Sequence, residues 1–319
     1  MKRKMILGLA SLAVLTNAFA DIMVSDVEVF SGYPWTEVVV GYTITGTDAE
    51  IEADVIQLTA EDKSANKTYT AQSLTGAVLT EGRHILRWNA AAEETKFSSS
   101  NVVFSVSIVR LGVRLWANGP YWAECNVGAS KPEEYGYYFW WGDTIGYKRN
   151  ANDDGWVSVL DGGSRSFSGG CPTYRAPISN LQRAGYIDSA GNLVAKYDAA
   201  TKHLGSRWRM PTDAEWSALV SNCTITCATI NGIHGRLVTG NGSYATRSIF
   251  LPAVGWGRDR YLDHAGSYGI YWSSTPYSDG AGFYESAYCV LLMPDDRFVR
   301  GSHSRQEGCA VRPVRRFAQ

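Results

Sequence analysis

The side chains that could do chemistry in this chain of 319 residues are few and dispersed. Five histidines (His84, His203, His234, His264 and His303) show neither a helix-spaced pair nor a His-x-Glu-x-x-His pattern, the arrangements that bring imidazoles together around a metal. Ser273 and Ser274 lack the Gly-x-Ser-x-Gly turn that exposes a nucleophilic serine. Cys223-x-x-x-Cys227 is half a metal site, with no second Cys or His pair at zinc spacing. Asp295 and Asp296 form an acidic pair on an expected loop, where neighbouring side chains rarely face one target, so a solvated turn outweighs a general acid and base. With Glu307 they are the residues that could offer calcium several oxygens together. No catalytic residue, metal or cofactor is assigned.

Recognition is more legible than catalysis. GSYGIYWSSTPYS (266–278) and GCAVRPVRRF (308–317) read as built structure, while YCVLLMPDDRFVRGSHSRQE (288–307) keeps no periodicity for long. A fixed frame around a chemically arbitrary surface is the pattern of a binding module; an enzyme concentrates acids, bases or ligands at fixed places. In such a surface Arg297 and Arg300 supply charge, His303 and Gln306 hydrogen bonds, and Tyr288, Leu292 and Phe298 apolar contact.

The elements that must position this segment follow from periodicity. Residues 21–111 read as an all-β domain: Val38, Val40, Tyr42 and Ile44, then Val102, Phe104, Val106 and Ile108, alternate with smaller or polar residues, the period of strands with one buried face. From Val113 the texture turns aromatic and glycine-punctuated. Asp198 caps a short helix at 199–204 that Gly205 ends, and Thr212 with Glu215 forms a capping box opening a helix to about Asn222, its buried side Trp216, Leu219 and Val220. Short strands are expected at 121–127, 137–141, 235–239, 248–254, 270–273, 286–292 and 310–315. The fold class is therefore an all-β sandwich followed by an α+β domain, residues 112–319, of short strands and two short helices.

All six cysteines lie in this second part, and an even number permits disulfides in an oxidising compartment. Six cysteines allow fifteen pairings, which sequence does not resolve; Cys125 with Cys223 is the pair we favour. The compartment follows from residues 1–20: Lys2, Arg3 and Lys4, an apolar core at 5–16, and Ala18-Phe19-Ala20 make a signal peptide, so the protein is expected to be periplasmic, cell-surface or secreted. That core is too short for a membrane span of about 20 residues, and no transmembrane segment is expected. Subtracting Lys2, Arg3 and Lys4 from 30 basic residues leaves 27 against 31 acidic ones, a net charge of about −4, which suggests neither nucleic acid nor an anionic membrane as partner.

Five ordered blocks then carry a resemblance: YWAECNVGASKPEEYGYYFWWGD (121–143), WRMPTDAEW (208–216), SIFLPAVGWG (248–257), YWSST (271–275) and VRPV (311–314). They resemble the Fibrobacter succinogenes major paralogous domain, which implies a C-type-lectin-like fold related to that of formylglycine-generating enzymes. The resemblance gives Trp208, Arg209, Pro211, Thr212, Glu215, Trp272, Arg312 and Pro313 structural roles, and implies that an early strand near 115–122 meets the last one. The Gly-Asn-Val-Trp-Glu-Trp motif and close cysteine pair of those enzymes are missing, Cys289 and Cys309 standing too far apart in sequence, and so are the sugar-binding tripeptides of calcium-dependent lectins. An oxidase and a calcium-dependent lectin remain the alternatives to a binding module. VSDVEVFSGYPWTEVVVGYTITG (24–46) with HILRWNA (84–90) resembles the immunoglobulin-like domains preceding such domains in exported bacterial proteins.

Residues 286–317 also resemble the variable regions of proteins diversified by retroelements, which use C-type-lectin-like scaffolds. That likeness implies that Arg305, Gly308 and residues 311–314 are fixed. Leu292, Pro294, Arg297, Val299, Gly301, Ser302, His303, Ser304, Gln306 and Glu307 would be exchangeable, forming with Tyr288 and Arg300 a surface for a protein or glycan ligand.

Overall fold

A computed structural model describes residues 23–46, 54–93, 95, 97, 98, 100–110, 112–150, 155–278 and 285–315. The expected signal peptide lies outside the described residues. Among the described residues no helix is long and apolar enough to cross a membrane.

The chain is mostly β, in several small antiparallel sheets with few helices. β1 (Met23–Val29), β2 (Val38–Thr45), β3 (Asp54–Asp62), β4 (Lys67–Thr70), β5 (Gly82–Trp88) and β6 (Val102–Arg110) form two three-stranded sheets, ordered β1-β2-β5 and β4-β3-β6. The alternation expected for β2 holds: Val38, Val40, Tyr42 and Ile44 are fully buried, and with Leu58, Leu86, Trp88 and Phe104 they make one core. The buried hydroxyl of Tyr42 is satisfied by Val78, donating to its carbonyl at 2.6 Å.

The rest of the chain builds two further cores. β7 (Val113–Arg114) and β8 (Tyr121–Trp122) pair, and β9 (Tyr147–Arg149), β10 (Trp156–Ser158) and β11 (Ser164–Arg165) make a small sheet. Helices α1 (Ile178–Arg183), α2 (Ala199–Leu204) and α3 (Asp213–Asn222) come next, then a sheet of β12 (Cys223–Ile230), β13 (Ile233–Gly240) and β14 (Ser248–Pro252). The hairpin of β15 (Trp256–Arg258) and β16 (Tyr261–Asp263) precedes the sheet of β17 (Gly269–Pro276), β18 (Ser286–Leu292) and β19 (Phe298–Ser304). Finally β20 (Val314–Arg315) lies on β8, opposing Val314 to Trp122 and Arg315 to Tyr121, so an early strand meets the last one as expected.

Both anticipated helix starts are present. The Asp198 carboxylate accepts from Thr201 N at 2.9 Å and from Met210 N at 2.8 Å, capping α2 while tying down the following loop. Thr212 and Glu215 form the capping box of α3. Trp216 and Leu219 are buried, but Val220 is 38 % exposed. Val220 is one residue past Leu219, about 100° around the helix and off the buried stripe. The strands expected at 121–127 and 310–315 are regular only at Tyr121–Trp122 and Val314–Arg315. The two segments stay opposed beyond these pairs, Ala123 N donating to Pro313 O and Val127 N to Val311 O, but without a regular ladder, while Ala310 and Val314 also bond β17 and Arg209. At 137–141 only isolated bridges form, at Tyr138 and Phe139.

Candidate functional site

The segment singled out for recognition is a hairpin set into a buried frame. β18 is the middle strand of its sheet, and its alternation feeds two cores at once: Ala287 and Cys289 join Ile270 and Trp272 on one face, Val290 and Leu292 join Tyr271 and Trp216 on the other. Only Ser286, Tyr288 and Leu291 of this strand keep partial exposure. Leu292, expected at the exchangeable surface, is fully buried, because the side-chain period of two turns it toward α3. It is a core residue. Phe298, opposite it, is partly buried and packs against Trp216, centroid to centroid 6.4 Å.

β19 differs: it is an edge strand, and each of its seven residues keeps partial exposure. Val299, Ser302, His303, Ser304, Gln306 and Glu307 are half-buried, and Pro294, Arg297 and Arg300 are exposed. The turn is closed by Met293 N donating to Arg297 O at 2.9 Å, with Asp296 in the left-handed region at φ 68.

The charges here are paired locally. Arg297 bonds Asp295 at 2.7 Å. Arg300 donates to Asp213, in the first turn of α3, at 2.5 Å and lies 4.6 Å above the Tyr288 ring, which Tyr277 meets edge-on at 5.1 Å. His303 meets Glu307 and the edge of Trp256. Asp296 accepts from the Cys227 thiol at 2.7 Å and faces Arg236 at 3.8 Å. Asp295, Asp296 and Glu307 thus serve different partners and do not converge, and among the described residues no cluster of three His, Cys, Asp or Glu could hold a metal.

Beyond the hairpin the chain is continuous frame: every residue from 308 to 315 is buried. Two guanidiniums anchor it. Arg305 is fully buried, donating to Ser286 O at 2.8 Å, Thr173 O at 3.0 Å and Ala176 O at 3.1 Å over the Trp141 ring; burial pulls its pKa down to about 10. Arg312 is also fully buried, reaching Asn126 Oδ1 at 2.9 Å, Ala123 O at 3.0 Å, Phe250 O at 2.8 Å and Glu124 O. Its planar fork serves four acceptors, three in the loop at 123–126 and one on β14, which an ammonium could not. Gly308 lies against Phe167, whose ring would stand 2.3 Å from an added Cβ.

The other expected structural residues surround this frame. Arg209 clamps Glu215 at 2.7 and 2.5 Å, Pro211 O accepts from Ser274 N at 2.8 Å, the Trp272 indole donates to Phe139 O at 2.8 Å, and Trp208 is half-buried. Pro313 is buried and its carbonyl accepts from Ala123. The favoured Cys125–Cys223 link is not formed: both thiols are free, as are the other four. Cys125 lies in a loop after β8, whereas Cys223 is fixed at the junction of α3 and β12 by its N–H to Leu219 O. Burial holds the thiols of Cys289 and Cys309 well above the ordinary range, opposite to what a nucleophilic thiolate requires.

Sequence reading missed Asp213, Tyr277 and Trp256 as neighbours of the segment. Asp213 is visible in retrospect as the acid after an N-cap, a position that attracts cations as well as the helix dipole. Comparison with protein-family models, curated proteins and solved structures finds no match to this chain.

Proposed function

We propose that the chain is an exported or cell-surface ligand-binding protein, in which residues 112–319 form a C-type-lectin-like domain of the major paralogous type behind an immunoglobulin-like domain at 21–111. The β18–β19 hairpin and the residues after it are the recognition surface for a protein or glycan ligand. One observation carries this reading: an edge strand whose every residue keeps some exposure, β19, precedes a run of eight buried residues, 308–315, so that, Phe298 and Arg305 apart, composition can vary on one side of the boundary without entering a core. The lectin-like fold is supported by the pairing of β20 with β8, which brings the two ends of the region together. Non-catalytic binding is supported by the burial of Cys289 and Cys309 and by the local pairing of Arg297 with Asp295 and of Arg300 with Asp213. Active diversification would exchange Pro294, Arg297, Val299, Ser302, His303, Ser304, Gln306 and Glu307 while keeping Arg305, Gly308 and residues 311–314.

The test is a protein and glycan array probed with the purified chain and with an Arg297→Ala, Arg300→Ala, His303→Ala variant of matched stability. A ligand bound by the parent and lost by the variant supports the reading; equal binding by both places recognition elsewhere. For diversification, the encoding locus should hold a near-copy of the segment beside a reverse transcriptase gene, and an isolated gene defeats that part.

A further inference from the structure

β12 runs along the outside of its sheet, and its sequence, CTITCATI, has no charge, proline or glycine. It pairs with β13 residue for residue, without a bulge. The connecting turn, Asn231-Gly232, has both residues left-handed (φ 49 and 81), the two-residue hairpin geometry in which the flanking Ile230 and Ile233 exchange both backbone hydrogen bonds. Alternation from that pair turns the N–H and C=O of Thr224, Thr226 and Ala228 inward to β13. Those of Cys223, Ile225, Cys227 and Thr229 point outward. Cys223 agrees independently, since its N–H donates away from β13 to Leu219 O. Among the described residues the outward groups of Ile225, Cys227 and Thr229 meet no other backbone.

Proteins blunt such edges with charges, bulges or cover. β1 is bulged between Ser25 and Glu28 and carries Asp26 and Glu28; β19 carries Arg300 and His303. β14 is largely buried, with the carbonyls of Phe250 and Pro252 taken by Arg312 and Tyr271. Among the described residues β12 itself carries none of these devices; the Asp296 carboxylate that meets the Cys227 thiol belongs to the turn before β19 and faces Arg236 at 3.8 Å.

We propose that the free edge of β12 pairs with the same strand of a second copy of this chain, antiparallel across a twofold axis. The strand's own residues oppose no like charges to their copy, the Asp296 beside Cys227 being faced by Arg236, and the outward groups of an antiparallel edge are complementary to themselves. The register that uses every free outward group centres on Cys227, opposing Cys227 to Cys227 and Ile225 to Thr229. Cα atoms in such a hydrogen-bonded pair lie about 5.5 Å apart, inside the range of about 4.4–6.8 Å that a disulfide spans. Cys227 is exposed, and once released from its bond to Asp296 its thiol reports the register. The dimer does not depend on β18–β19 binding a ligand, but it would present two such hairpins together.

The test is sedimentation of the full chain with two variants. Thr229→Pro removes an outward donor while leaving the inner ladder intact, and Thr226→Lys places like charges near the axis. The parent should sediment as a dimer, and both variants as monomers with unchanged circular dichroism. A monomeric parent at its highest soluble concentration, or a dimer that survives in folded forms of both variants, overturns the proposal. Should the variants unfold, oxidised glutathione decides: two Cys227 thiols exchange with it to form one intermolecular disulfide and two molecules of reduced glutathione. A cross-linked dimer absent from Cys227→Ser supports the pairing, and no Cys227 cross-link overturns it.

Discussion

Arg312 ties the loop at 123–126 to β14 through one side chain, and its removal strands acceptors that burial has cut off from water. Arg312→Ala should cost about 3 kcal/mol or more, because each abandoned buried acceptor carries a desolvation penalty of about 1–3 kcal/mol. Arg312→Lys should recover only part of it, and urea denaturation of both variants measures the difference. The two glycines flanking Arg305 separate frame from surface in the same assay. An added Cβ at Gly308 meets the rigid Phe167 ring at 2.3 Å, whereas at Gly301 it meets the mobile end of Leu291 at 2.7 Å. Gly308→Ala should therefore lose about 1–3 kcal/mol, the usual range for overpacking, and Gly301→Ala clearly less. This boundary was legible in the sequence at Arg305, Gly308 and Arg312, but not at Leu292, whose burial depends on which face of β18 the register turns toward α3. A disordered-looking run of letters hides a period of two when both faces are covered.

At the scale of elements, α3 is the support on which the hairpin rests, through Trp216 beneath Phe298 and Asp213 beside Arg300. Its capping box was readable because Thr-x-x-Glu is a local code needing no tertiary information. The short strands at 121–127, 137–141 and 310–315 were read too long, since their backbones bond to distant segments at irregular intervals, with changing partners at 137–141 and 310–315, which no local pattern encodes. Burial alone would raise the Glu215 pKa, but the bidentate Arg209 pair and the Thr212 bonds outweigh it and hold the carboxyl below the usual range. A carboxyl depressed in the folded state contributes stability above its unfolded pKa of about 4.3 and loses it as pH falls through the folded value. Stability should thus decline below about pH 4, and Glu215→Gln should be less stable at neutral pH with a shallower acid decline, measured by denaturation across pH. Thr212→Ala should cost about 1 kcal/mol by loss of the cap.

For the whole molecule, strand pairing never joins β1–β6 to β7–β20 among the described residues, and the core built on Val40 and Trp88 shares no residue with the other two. Calorimetry should resolve two unfolding transitions, and the Arg312→Ala substitution should move only one of them; a single transition shifted as a whole would show that the two parts unfold together. The break in strand pairing falls where the sequence turns from alternation to an aromatic, glycine-rich texture, near residue 112. The free edge of β12 was not, because exposure of a strand edge is a property of the assembled sheet. The pairing of β20 with β8 also sets an order of events. Tyr121 and Trp122 wait for Val314 and Arg315, so during synthesis the region stays open until residue 315 has left the ribosome, with Trp122 lacking one of its strand neighbours throughout. Closing so long a loop is slow. The β18–β19 hairpin is translated just before that closure, and the buried run that follows it, 308–315, is complete only when the last strand arrives.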